Sequence, residues 1–88
     1  MLNKNQTILL AETIENNLTN GNRKLVAVLI TNLTVYDYVL LEKTFLEYNT
    51  KSISDKLTFS EIENLRVLRI DDPDYDLARC ILDDIRKS

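Results

Sequence analysis

Hydrophobic residues recur along the chain at helical rather than alternating spacing. Leu10, Ala11, Ile14 and Leu18 fall on one side of a helix predicted over 4–19. Asn3 followed by Gln6 has the spacing of a capping box at its start, and Asn20-Gly21 stops it. An unbroken apolar run, Leu-Val-Ala-Val-Leu-Ile, occupies 25–30. Periodicity alone does not separate a buried strand from a buried helix there. Its β-branched content leans toward strand, but the scarcity of neighbouring turn residues favours helix. Thr34 and Asp37 form a second cap-like pair ahead of a helix over 35–48, and a polar loop follows over 49–57.

Thr58 and Glu61 make the clearest capping box, followed by Phe59, Ile62, Leu65 and Leu68 on one face. Asp72-Pro73 opens the last helix, since Pro suits the first helical position and Asp caps it. Leu77, Ala78, Ile81, Leu82 and Ile85 form its inward stripe, and Arg86 and Lys87 complement the negative end of its dipole. These elements predict an all-α fold, a compact bundle of four to five short helices in a single domain spanning 1–88. The alternative is a small α/β layer with strands near 25–30 and 65–70.

The helix over 35–48 is apolar on two sides. Val35, Val39 and Leu46 make one stripe, and Tyr38, Leu41, Phe45 and Tyr48 make the other, stepped by three, four and three as in a coiled-coil seam. A helix apolar all round is buried on all sides, which makes this one the central helix of the bundle. The competing reading sets the aromatic seam against another chain, because Tyr and Phe carry large contact area at interfaces. A self-complementary seam would give a two-fold homodimer.

Composition removes most chemistry. There is no His, one Cys (Cys80), one Gly (Gly21) and one Pro (Pro73) in 88 residues. No metal ligand set, disulfide framework or Gly-rich phosphate loop is readable in such a chain, and no Ser or Thr has an evident activating base. The expectation is therefore no catalytic residue, no cofactor and no metal. The acids around 71–76 partly imitate a calcium loop counted from Asp72. The imitation fails at Leu77, where that loop needs Gly, and at Pro73. Cys80, at the margin of the stripe of the last helix, reads as a packed and inert thiol.

Eleven bases against fourteen acids argue against nucleic acid and anionic membrane surfaces. The pair of helices around 70–72 has helix-turn-helix proportions. Its recognition helix would lead with Asp72, Asp74 and Asp76, which is the wrong sign for phosphates. The apolar run around 25–41 is interrupted by Thr31, Asn32, Thr34 and Asp37, so no membrane helix is expected. A lone Cys and a polar N-terminus point to a reducing, cytoplasmic setting. Abundant Asn, Ile and Lys point to an A/T-rich genome of the phage or plasmid kind.

The function these features favour is binding to another protein, as a regulator, inhibitor or adaptor that works as a homodimer or in a partner complex. The contact residues expected from sequence are Tyr36, Tyr38, Leu41, Phe45 and Tyr48, with Asp72, Asp74 and Asp76 as a steering edge. The alternatives are a DNA-binding regulator and a small-molecule or nucleotide sensor, the latter needing Arg23, Lys24 and Arg66 to converge.

Overall fold

The structure, a computed structural model, describes residues 1–48, 53 and 73–88. Every element among them is a helix: α1 (Lys4–Thr19), α2 (Arg23–Thr31), α3 (Val35–Tyr48) and α4 (Pro73–Arg86). The all-α fold expected from the hydrophobic pattern is present. The helices predicted over 4–19 and 35–48 have the bounds expected of them. The box at Thr58 and Glu61, its apolar face, and the strand considered near 65–70 all lie outside the described residues.

The start of α1 is fixed by a reciprocal exchange. Gln6 N–H donates to Asn3 Oδ1 at 2.8 Å, and Asn3 N–H donates to Gln6 Oε1 at 2.9 Å, so two N–H groups that a helix end leaves orphaned are paired. The far end is a Schellman turn. Asn22 N–H reaches Asn17 O at 2.8 Å and Gly21 N–H reaches Leu18 O at 3.2 Å. Gly21 carries the left-handed φ of 80° that this turn requires. Leu10, Ala11 and Ile14 are buried, as their spacing predicts.

α2 is the most deeply enclosed element. All six residues of the apolar run are buried, which corrects both the strand alternative at 25–30 and the expectation that the helix over 35–48 is the central one. An apolar run read as helix places side chains all round the axis, so it must be covered on every side. α2 lies mainly against α4 and also against α1, while α3 leans chiefly on α1. Asn32 closes α2, its Nδ2 donating to Val28 O at 2.8 Å and so satisfying a last-turn carbonyl.

α4 begins at Pro73 and buries Ala78, Leu82 and Ile85, with Ile81 half-buried against the core. Leu77, expected in that stripe, is instead exposed for about half its surface at the stripe's edge. Cys80 is exposed, contrary to the packed thiol expected. It follows Arg79 on the solvent side of α4, outside the arc that Ala78, Leu82 and Ile85 turn inward.

Polar contacts tie α4 to the earlier helices. Gln6 Nε2 donates to Arg86 O at 3.0 Å, so the side chain that completes the box of α1 also caps the end of α4. Lys24 and Asp74 pair at 3.5 Å, holding the first turns of α2 and α4 side by side. That pair is partly exposed and contributes only about 0–1 kcal/mol.

Candidate interaction surface on the outer face of α3

α3 separates its residues into two faces with different fates. Thr34 Oγ1 accepts the Asp37 N–H at 3.1 Å and starts the helix. The Asp37 carboxylate is buried and accepts the Leu2 N–H at Oδ1, at 3.0 Å. The Thr44 hydroxyl is satisfied within the helix by Leu40 O at 2.9 Å. With Thr44 satisfied inside the helix and the Asp37 carboxylate satisfied by Leu2 N–H, the face carrying Asp37, Leu41, Thr44 and Phe45 can turn inward. Leu41 and Phe45 are 0% exposed in the common core, and Tyr38 packs half-buried against it. Burying a ring such as Phe45 contributes about 1.5–3 kcal/mol.

The aromatic seam expected to meet a partner is therefore interior packing along most of its length. Leu41 and Phe45 leave no surface open to another chain in this arrangement. Tyr48 continues the same side past the core. It stands exposed at the last residue of α3, where it borders a hollow of about 210 Å³ with Ile8, Ala11, Glu12 and Glu15 of α1.

The other face of α3 is the open one. Val35 is 82% exposed, Tyr36 65%, Val39 60% and Leu46 51%. Helical geometry places Val35, Val39 and Leu46 in one row, with Tyr36, Lys43 and Glu47 in the row beside it. An open hollow of about 650 Å³ lies there, lined by Met1, Val35, Tyr36, Val39, Leu40 and Lys43. Scattered apolar side chains on a surface need no explanation, but a contiguous run of this kind is a candidate contact site.

Of the eight residues expected to contact a partner, Tyr36 lies on this face. Tyr38, Leu41 and Phe45 face inward, and Tyr48 lies at the α1 side. Asp74 and Asp76 are on α4, no residue of which lines the hollow, and Asp72 is outside the described residues. Val35, Val39 and Leu46, which are exposed on this face, were not among the eight. The signal that finds them is the company they keep: Lys43 and Glu47 share their side of the helix, whereas the inward side carries only a short carboxylate and a hydroxyl that the backbone can satisfy.

The other readings gain no geometry. Among the described residues no group of three or more His, Cys, Asp or Glu is arranged to hold a metal ion. No buried side-chain oxygen or nitrogen among them lacks a partner. A hollow of about 290 Å³ at the first turns of α2 and α4 does bring Arg23 and Lys24 together, but Lys24 pairs with Asp74 on its wall, and Arg66 is outside the described residues. Asp74 and Asp76 occupy the first turn of α4, as read from sequence. No described helix is long and apolar enough to cross a membrane.

Among the described residues, fold and surface define a small helical protein whose α3 carries an apolar face that no described helix covers. Comparison with protein-family models, with curated proteins and with solved structures gave no match in any of the three.

Proposed function

We propose that this chain is a non-catalytic binding protein, a small intracellular regulator, inhibitor or adaptor that docks another protein on the outer face of α3. The observation that carries the reading is the contiguous exposed row of Val35, Val39 and Leu46 with Tyr36 beside it. Exposing such a row in water is unfavourable by ~25 cal/mol per Å², and docking removes that cost. The absence of His and the single Cys support a role without chemistry. An acidic net charge of -3 supports a protein partner over nucleic acid.

Affinity capture from the native host tests this reading. Tagged wild-type protein retains a defined partner, and Val39→Asp, which places a charge in the middle of the row, releases it. Identical sets of retained proteins for both forms contradict the assignment.

A further inference from the structure

Asn20-Gly21 is the only Asn-Gly pair in the chain. We propose that Asn20 is a site of spontaneous conversion to aspartate and isoaspartate, and that the turn joining α1 to α2 holds the reaction shut. Asn is among the chemically labile residues. The Gly21 backbone nitrogen gives up its proton to solvent and attacks Asn20 Cγ. The new C–N bond closes a succinimide ring, the Cγ–Nδ2 bond breaks, and Nδ2 leaves as ammonia. Water then opens the ring. Breaking the bond from the nitrogen to Cγ gives aspartate, and breaking its bond to the α-carbonyl carbon gives isoaspartate. The sum is amide plus water to acid plus ammonia, with nothing oxidised or reduced. Gly21 brings no side chain to obstruct the attack. Both residues are exposed, and nothing lies within 4 Å of where a Gly21 Cβ would stand, so water has access.

Exposure favours the reaction, but the backbone opposes it. The ring requires Asn20 Cβ and the Gly21 nitrogen to eclipse each other about the Asn20 Cα–C bond. Asn20 ψ is 2°, so the Gly21 nitrogen eclipses the nitrogen of Asn20 itself, and the tetrahedral Cα turns Cβ well away from it. The attacking nitrogen is also engaged. Its N–H donates to Leu18 O at 3.2 Å, and the next N–H, of Asn22, donates to Asn17 O at 2.8 Å. Turning ψ into the reactive range breaks both bonds. The Asn22 side chain straps the same turn, its Nδ2 donating to Asn17 Oδ1 at 3.0 Å. Opening of the turn therefore sets the rate. The product keeps the turn loose. It places a new carboxylate at the negative end of the α1 dipole, where the last turn holds no basic residue. In isoaspartate an extra backbone carbon also enters the Schellman closure and changes its ring size.

Incubation of the purified full chain in mildly alkaline buffer, followed by digestion and mass spectrometry of the fragment carrying Asn20, tests the gate. A synthetic peptide of residues 17–24 and the full chain in guanidinium chloride give the ungated rate. Native wild type is expected to convert more slowly than either by roughly ten- to a hundredfold, the factor for breaking two backbone bonds before reaction. Asn22→Ala removes the donor of the strap. Asn22 lies outside both helices and makes no side-chain cap, so the fold is expected to keep its helical circular dichroism. The variant is expected to convert roughly two- to tenfold faster than wild type, each measured against a peptide of its own sequence. A native rate equal to that of the peptide overturns the gate. No conversion in guanidinium chloride overturns the site. Conversion of Asn22→Ala at the wild-type rate assigns the opening to unfolding of the whole chain and overturns the role of the turn.

Discussion

Asp37 is the residue on which the inward turn of α3 depends. A carboxylate in a core is costly unless its oxygens are paired. Here Oδ1 accepts the Leu2 N–H, which brings the buried Leu2 side chain into the same core. Asp37→Ala removes the acceptor and leaves the Leu2 N–H enclosed without a partner. The expected loss of stability is about 1–3 kcal/mol, measured by urea denaturation. A change within ~0.5 kcal/mol would show that water reaches Leu2 N–H and that this bond does not hold the N-terminal residues in place.

Among the elements, α3 shows most clearly what can and cannot be read ahead of the fold. Its bounds were legible, because a cap and the N–H that donates to it lie within one turn of each other and involve no distant part of the chain. The same holds for the Asn3–Gln6 box and for the Gly21 turn. Which of its two apolar stripes turns inward was not legible. That choice depends on α1, against which it packs, and on Leu2, thirty-five positions away from Asp37. The run over 25–30 had a related ambiguity, since a buried helix and a buried strand make the same demand on residue type. Its neighbours resolved it: there is little turn chemistry around it beyond the Gly21 stop.

The two faces of α3 make opposite predictions for truncation. Phe45→Ala opens a cavity in the core and is expected to cost about 3–5 kcal/mol. Tyr36→Ala, on the open face, is expected to change the stability of a single copy by less than ~0.5 kcal/mol. Thermal or chemical denaturation of both variants under dilute conditions checks the assignment. A large loss for Tyr36→Ala together with a small one for Phe45→Ala would mean that the faces are reversed.

For the molecule as a whole, the division of labour follows the burial pattern. α2 is enclosed on all sides, α1 and α4 bury one stripe each, and α3 buries one apolar stripe while exposing another. Gln6 joins the beginning of the chain to the end of α4, and the Lys24–Asp74 pair joins the first turns of α2 and α4. What remains unpaired with any described element is the outer row of α3. The central claim is that this row is the working surface of the protein. Placing a photo-crosslinking amino acid at position 39 in cells of the native host tests it most directly, with position 84 on the exposed side of α4 as the comparison. The account predicts a discrete protein adduct from position 39 and none from position 84. No adduct from position 39, or equal adducts from both, would contradict it.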